Sequence, residues 1–430
     1  MDENETYAEL WMGTHPDGPA VLSNSSTRLS SFIAKSHSAS YLSNNNWKED
    51  IHLPFIMKVM SIARSLSLQV HPTKEQASRL HEKDPVHYPD RHHKPELAYA
   101  LTQFELLCGF RPAYQILENI EAFPPLCAIM DKRNCDNLRD VVNEEKNQQS
   151  LKCRQALALC FGEMMGKTQT HPDLVADFVD ELIECLDDGV RGCLTEPTVK
   201  VIQKMAMDFP GDVAEELHAY LSGECVECVG CSNNTIRAAM TPKFIDREAL
   251  CEVLNYRMTP PEEYLVPATP LPDYPGVDEY SPNCKDFQLH RIRIYPYFTN
   301  APLPVLDCAS IMVIVEGSAV LEEVYRPSSS GLTSSSRSQS VTHREVLDRR
   351  DVSRGDIIFI PPGIRLRFTQ YADKIEAFRT FSYELGPDHE NRRTFVDATV
   401  PITTKRPIFT LGNRTVGKVF EVESEMDGFI

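Results

Sequence analysis

Several features that mark other protein classes are missing from this 430-residue chain. No apolar run reaches the roughly 18 to 20 residues of a membrane-spanning helix, which argues against an integral membrane protein. The opening residues, MDENETYAELWMG, are acidic and lack the apolar centre of a secretory signal, so we expect a cytoplasmic protein. Basic residues number 44 against 62 acidic ones, and a net charge of −18 argues against nucleic acid and anionic membranes as main partners.

Three chemical signatures are also lacking. No glycine-rich phosphate loop precedes a predicted helix, so nucleotide binding has no support, and no HExxH helix points to a zinc hydrolase. The thirteen cysteines are an odd number, scattered without the spacing of a secreted disulfide framework. We therefore expect a reducing compartment. An apolar fraction of 42% is enough for a sizeable core, divided by length into two or three domains.

The middle of the chain has a helical pattern. Apolar residues recur at three- and four-residue spacing in LKCRQALALCFGEMMG (151–166) and HPDLVADFVDELIECLDDG (171–189). Pro172 suits the first turn of the second helix and Gly189 suits its end. The pattern predicts a mostly helical segment over residues 113–208.

The later part of the chain is rich in β-forming residues. SIMVIVEGSAVLEEVYR (310–326) contains two strand-like runs broken at Gly317, which predicts a hairpin. RGDIIFIPPGIRLRF (354–368) adds two short strands around a Pro-Pro-Gly turn, and together the runs predict a small antiparallel barrel or jelly roll. The serine-rich stretch 328–340 between them is predicted to be a disordered loop.

The histidine-rich stretch 65–102 contains a candidate metal site. Gln69 and His71 are two residues apart, so on a strand they project from the same face. Glu96 begins a second predicted strand, on a face of small residues. Amide, imidazole and carboxylate donors would suit zinc or another divalent metal; the alternative is a hydrogen-bonded strand-end histidine and a surface carboxylate. Most of the remaining histidines of the stretch are expected to be loop residues, and none is expected to bind metal: His81, His87, His92 and His93.

A second cluster lies in HAYLSGECVECVGCSNNTIRAAMTPKFID (218–246). Its Cys225, Cys228 and Cys231 have the spacing of a thiolate zinc site but lack a distant pair, so buried strand cysteines are the favoured interpretation. Three charged residues stand there among apolar and small ones. The basic members could hold a phosphate, and the alternative is a set of surface salt bridges. These charged residues are Glu227, Arg237 and Lys243.

Five blocks, in this order, resemble the type I mannose-6-phosphate isomerase family. They are YAELWMGTHP (7–16), LPFIMKVMS (53–61), LSLQVHP (66–72), HYPDRHHKPELAYALTQFELLCGFRP (87–112) and residues 218–246. The resemblance extends from about residue 7 to about residue 380. It implies a mainly β fold with an α insertion, a double cupin of jelly-roll barrels plus a helical domain. The implied parts are a catalytic cupin domain (1–112 and 209–260), a helical domain (113–208), a C-terminal cupin-like domain (261–380) and a tail (381–430).

The resemblance also implies a site and an activity. The implied ligands of one Zn²⁺ per chain are Gln69, His71, Glu96 and His218. The family interconverts mannose 6-phosphate and fructose 6-phosphate and supplies GDP-mannose synthesis, which implies a sugar-phosphate substrate and a cytoplasmic protein, expected to be a monomer. Moving a proton between C1 and C2 through an enediolate needs a base, a group that stabilises the oxyanion and residues that bind the phosphate. The implied residues are Arg237 for the enediolate, Lys243 with Ser67 for the phosphate, Lys94 for polarising the substrate, and Glu227 or a zinc-bound water as base.

Two features depart from the family pattern. Only six residues precede Tyr7, and FPGDV (209–213) runs almost directly into EELHAYL (215–221), where the family has about two strands and a turn. An inactive sugar-phosphate-binding or structural cupin therefore stays as the alternative. In the second barrel, Leu366 stands where a metal-binding cupin has histidine, so we expect that barrel to be structural and metal-free.

Overall fold

A computed structural model describes residues 8–23, 25–38, 50–62, 66–106, 108–208, 221–298, 301–324, 346–383, 409–411 and 422–423. The chain divides into two compact units. Unit 1 contains Met1–Val59, Val226–Cys231 and Pro267–Lys418, and unit 2 contains Met60–Cys225, Ser232–Val266 and Val419–Ile430. The serine-rich stretch 328–340 and the predicted ligand His218 lie outside the described residues. Within these ranges, no helix combines the length and the apolar character needed to cross a membrane.

The first part of the chain alternates strands with short helices. Its elements are β1 (Glu9–Gly13), α1 (Leu29–Ser38), β2 (Phe55–Ile62), β3 (Leu68–Val70), α2 (Lys74–Lys83), β4 (Glu96–Ala100) and β5 (Glu105–Leu106). Helix α2 begins with a capping box. The Thr73 hydroxyl accepts from the Gln76 amide at 3.2 Å, and the Gln76 side chain accepts from the Thr73 amide at 2.9 Å. Strands β3 and β4 confirm the sequence prediction of strands at Gln69 and Glu96.

The predicted helical segment is also confirmed. It consists of α3 (Ala113–Ala122), α4 (Pro124–Met130), α5 (Lys132–Glu144), α6 (Leu151–Thr170), α7 (Pro172–Asp187) and α8 (Glu196–Asp208). Pro172 opens α7, and Gly189 follows its end with a φ of +90°. The apolar faces of these helices form one cluster that continues through Leu68 and Val70 of β3. The helical segment thus supports the strand that carries Gln69 and directly precedes His71.

Further strands follow the helices. They are β6 (Leu221–Gly230) and β7 (Ile236–Ala239), followed by α9 (Arg247–Val253) and a 3₁₀ helix (Pro261–Tyr264). Along one sheet the hydrogen-bonded order is β1-β2-β6-β4, with β5 also pairing with β6. Strands β3 and β7 form a separate two-stranded antiparallel sheet.

The C-terminal strands build a jelly-roll barrel. They are β8 (Thr269–Pro270), β9 (Val277–Tyr280), β10 (Gln288–Ile294), β11 (Ala301–Pro302), β12 (Ser310–Glu316), β13 (Ser318–Val324), β14 (Val346–Ser353), β15 (Ile357–Ile360), β16 (Leu366–Thr369) and β17 (Ile375–Phe381). One sheet includes β15-β12-β17-β10-β9-β8 and the other is β11-β16-β13-β14. Met312 and Ile358 of the first sheet share an apolar cluster with Leu321 and Phe368 of the second. The core therefore lies between the two sheets.

One predicted pairing is wrong. β12 and β13 are both strands, but they do not form a hairpin: β12 pairs with β15 and β17, whereas β13 pairs with β14 and β16. Gly317 between them has a φ of +84°, and a Cβ there would meet the Lys374 carbonyl oxygen at 2.2 Å. This glycine lets the chain pass from one sheet of the jelly roll to the other.

Two short segments of the predicted tail pair as strands. β18 (Phe409–Leu411) adds to β15, and β19 (Val422–Glu423) adds to β4 through Val422 opposite Ala98. Both additions are antiparallel.

Candidate functional site

Strand β3 carries one predicted ligand, Gln69, and a second, His71, directly follows the strand. Leu68 and Val70 are 4% and 1% exposed and pack in the apolar cluster. Because side chains alternate along a strand, Gln69 faces the opposite side. In the β3–β7 ladder Gln69 is the direct partner of Arg237. An amide and a guanidinium therefore stand side by side on the polar face.

The buried imidazole of His71 is held by two polar contacts. Its Nδ1 lies 2.8 Å from the backbone oxygen of Asn234, and its Nε2 lies 3.1 Å from Oε1 of Glu96. A carbonyl oxygen can only accept, so Nδ1 carries the proton and donates it. In a neutral ring of this tautomer, the Nε2 lone pair points at a carboxylate oxygen. Two electron-pair donors converge there.

Lys94 and Glu96 form an ion pair beside His71. The Lys94 ammonium lies 2.5 Å from Oε1 of Glu96, the same oxygen that faces His71. The side chains of Lys94 and Glu96 are 14% and 22% exposed, so the pair is largely shielded from water. The ammonium balances the carboxylate charge at the point where the lone pairs meet.

This donor set fits a divalent metal. The 3.1 Å between the imidazole nitrogen and the carboxylate oxygen is close to the separation of two tetrahedral zinc ligands, about 3.4 Å for bonds of about 2.1 Å. A carbonyl acceptor on the other ring nitrogen is the usual partner that orients a ligating histidine. In the part of the chain that the structure describes, no three His, Cys, Asp or Glu side chains are grouped to hold a metal. The predicted set also includes Gln69, an amide, and His218, for which the structure gives no position.

Arg237 and Lys243 supply positive charge in the same unit. Arg237 is half-buried, its Nη1 donates to the Thr235 carbonyl at 3.4 Å, and burial lowers its pKa. Among the described residues, no carboxylate lies within ion-pair distance of Arg237 or Lys243. Lys243 is exposed. The alternative of an ordinary salt-bridge set therefore does not apply to these two cations within the described ranges. Ser67, the predicted partner of Lys243 for the phosphate, is half-buried just before β3.

Glu227 belongs to unit 1 and has a partner that the sequence analysis missed. Its Oε2 lies 2.7 Å from the Lys58 ammonium, and the two side chains are 10% and 9% exposed. The ammonium also lies 3.6 Å from Glu9 and 5.2 Å from the ring centroid of Trp11. A lysine within the apolar strand FIMKVMSI was the available signal, because a buried ammonium needs a counter-charge.

Cys225 and Cys228 lie in β6, Cys231 directly follows it, and none of the three forms a disulfide. Cys228 is fully buried, contacts the Thr380 hydroxyl at 2.9 Å, and burial raises its pKa to about 12. These are the properties of a packed strand cysteine rather than a thiolate ligand.

Two of the remaining histidines of the early stretch, His81 and His87, have other partners. His87 pairs with Asp84 at 2.7 Å and stacks on Phe244 at 3.6 Å between ring centroids. His81 lies in α2 and not in a loop, and its Nδ1 contacts the Tyr88 carbonyl at 2.7 Å. Its place near the end of a well-capped helix explains the difference from the loop prediction.

Comparisons with known proteins identify relatives of this chain. The family model described as "Phosphomannose isomerase type I, catalytic domain" matches residues 1–113. Mannose-6-phosphate isomerase of Bos taurus is 34% identical over 346 residues, covering 74% of this chain and 79% of that protein. The Rattus norvegicus protein of the same name is 33% identical over 346 residues, with the same coverage of each chain.

A solved structure shares the fold. A zinc-bound mannose 6-phosphate isomerase superposes with a TM-score of 0.64 at 21% identity, covering 87% of this chain and 91% of that chain. The predicted mainly β architecture with a helical insertion, a double cupin, is thereby confirmed. The coverage and the sequence identity of the curated matches establish the family: this chain belongs to the type I mannose-6-phosphate isomerase family.

Proposed function

We propose that this chain interconverts mannose 6-phosphate and fructose 6-phosphate. The observation that carries the proposal is the arrangement of His71, whose Nε2 faces Glu96 at 3.1 Å, directly after strand β3, in which Gln69 pairs with Arg237. Such an arrangement places lone pairs that can bind a metal near a guanidinium that has no carboxylate partner among the described residues. The proposed zinc ligands are Gln69, His71, Glu96 and His218.

The proposed mechanism uses the charged residues in separate roles. When bound, zinc would supply a Lewis acid that polarises the sugar oxygens. Arg237 would donate hydrogen bonds to the negative enediolate oxygen; its half-buried position strengthens that interaction because less water competes. Lys94, next to Glu96, would help polarise the substrate carbonyl.

Phosphate binding and proton transfer fall to other residues. Lys243 is exposed and can reach a mobile phosphate, with Ser67 as a hydroxyl donor. Glu227 is the proposed base that moves the proton between C1 and C2. The Lys58 ammonium holds its Oε2 at 2.7 Å and would keep the carboxylate oriented.

The wider assignments are proposals of the same kind. We place a catalytic cupin domain at 1–112 and 209–260, a helical domain at 113–208, a C-terminal cupin-like domain at 261–380 and a tail at 381–430. A monomeric cytoplasmic enzyme that takes a sugar phosphate and supplies GDP-mannose synthesis is the matching cellular role. The alternative, an inactive sugar-phosphate-binding cupin, is decided by the experiment below.

A coupled assay tests the activity. Purified protein with zinc should convert mannose 6-phosphate to fructose 6-phosphate, and binding without turnover would favour the inactive cupin. Arg237→Ala should lower kcat/KM by about 10²- to 10³-fold while retaining zinc, as for loss of an oxyanion donor. His71→Ala should lose both zinc and turnover.

A matched control distinguishes the loss of a zinc ligand from a general destabilisation of residues 65–102. His87→Ala removes a histidine of the same stretch that pairs with Asp84 instead, so elemental analysis should show wild-type zinc. Zinc retained in His71→Ala would disprove the ligand assignment, and zinc lost from Arg237→Ala would make that arginine structural.

A further inference from the structure

Three segments that carry the proposed site are joined by one hydrogen-bond network. Its centre is Asn234, which is fully buried. The side-chain amide of Asn234 donates to the backbone oxygens of Asp90 at 2.8 Å and His92 at 2.9 Å, and to Oδ1 of Asp90 at 3.1 Å. The loop before β4 is thus attached to the segment before β7.

The Asp90 carboxylate completes this attachment from the other side. It accepts from the Ser232 hydroxyl at 2.8 Å and from the Asn233 amide at 2.8 Å, and also from the His92 amide at 2.9 Å. With the Asn234 amide, four donors converge on the two carboxylate oxygens. An ionised carboxylate has enough lone pairs to accept all of them.

The network continues to His71. The backbone oxygen of Asn234 accepts the Nδ1 proton of His71 at 2.8 Å. From Asp90 the chain runs on to Glu96, which faces Nε2 of the same ring at 3.1 Å. From Asn234 it runs three residues on to Arg237. Both nitrogens of one imidazole are therefore contacted by segments that Asp90 and Asn234 hold together.

We infer that Asp90 and Asn234 are positioning residues that fix the His71 tautomer and the spacing between His71 and Glu96. A movable Asn234 carbonyl would let the ring rotate or exchange its proton between nitrogens, and the Nε2 lone pair would no longer face Glu96. Loss of such an outer partner typically weakens metal binding by about 10- to 100-fold. The inference rests on the proposed function only for the identity of the metal.

The test compares two aspartates of one loop. Asp90→Ala should weaken zinc binding by about 10- to 100-fold in chelator competition. In the zinc-free protein it should also shift the ¹⁵N resonances of His71 away from the Nδ1-protonated tautomer. Asp84→Ala is the matched control: its carboxylate also caps backbone amides of this loop, those of Val86 and His87 at 3.2 Å each, but bonds neither Asn234 nor Ser232. The control should match wild type in both measurements.

Two milder variants keep the test usable if Asp90→Ala does not fold. Asp90→Asn retains one acceptor oxygen, and Ser232→Ala removes one donor to Asp90; both should lie between wild type and Asp90→Ala. An Asp90 variant with a lower unfolding midpoint but wild-type zinc affinity and wild-type His71 resonances would overturn the inference. If wild-type protein binds no zinc, the proposed function fails, whereas the resonances of the zinc-free protein still decide the role of Asp90.

Discussion

The Lys58–Glu227 ion pair gives the sharpest test of the energetics. Its atoms are 2.7 Å apart, and both side chains are about nine-tenths buried. The change to make is Lys58→Met, which keeps the length of the side chain and removes its charge. Glu227 would then remain buried without its nearest cation.

The expected cost follows from the geometry. At 2.7 Å the attraction between the charges is about 6 kcal/mol at an effective dielectric constant of about 20. Desolvation of the two ions offsets most of it, so the intact pair contributes little, but leaving one charge alone costs about 3–5 kcal/mol. Glu227→Leu should cost less, because Lys58 keeps Glu9 at 3.6 Å and the Trp11 ring at 5.2 Å. The double variant should unfold close to wild type.

Urea unfolding followed by circular dichroism measures these differences. The control is Lys132→Met, whose partner Asp136 is at 2.8 Å but whose side chain is 79% exposed. It should leave the free energy of unfolding almost unchanged, because water screens an exposed ion pair. A Lys58→Met cost below about 1 kcal/mol, or additive costs in the double variant, would refute the reasoning that the pair is buried and coupled.

Two further predictions concern a histidine and two glycines. Burial lowers the pKa of His290, so the unfolded chain binds a proton below about pH 6.5 that the folded chain does not. Stability should therefore fall with acidification in that window, by at most about 1.4 kcal/mol per pH unit. His290→Gln should remove this part of the loss in urea unfolding between about pH 7.5 and about pH 5.5; an equal loss in both proteins would contradict the assignment. In α6, Gly162→Ala should raise the unfolding free energy by about 0.5–1 kcal/mol, because its Cβ meets nothing within 4 Å. Gly109→Ala should instead destabilise by more than about 2 kcal/mol in the same assay, since its φ is +65° and the Cβ would lie 2.1 Å from the Tyr264 hydroxyl. An unchanged midpoint for Gly162→Ala would contradict the helix-propensity argument, and one for Gly109→Ala would show that the backbone relaxes around the new Cβ.

Local patterns in the sequence predicted the elements well. Alternation around Gln69 and the position of Glu96 after Pro95 predicted two strands, and the three- and four-residue spacing predicted α6 and α7. These signals are contained in windows of a few residues, where periodicity alone decides which face is buried. Resemblance to a family added candidate roles that such windows cannot give.

Pairing between distant residues could not be predicted in the same way. The break at Gly317 looks like a hairpin in sequence, but a jelly roll sends the two strands to different sheets. The partner of Glu227 is Lys58, 169 positions earlier in the numbering, and no local pattern relates them. The Asp90 and Asn234 contacts are likewise fixed by tertiary packing, although each residue looks like an ordinary loop residue.

The contacts between Asp90 and Asn234 can form only late in the synthesis of the chain. They join residues 144 positions apart, so at about 5–20 residues per second the ribosome needs roughly 7 to 29 s to deliver the second after the first. During that interval Leu68 and Val70 have no β7 to pair with, whereas the helices at 113–208 make mostly short-range contacts and can form. The helical segment can thus give β3 an apolar surface before β7 has been synthesised. His71 becomes fully oriented only after Asn234 has been added to the chain.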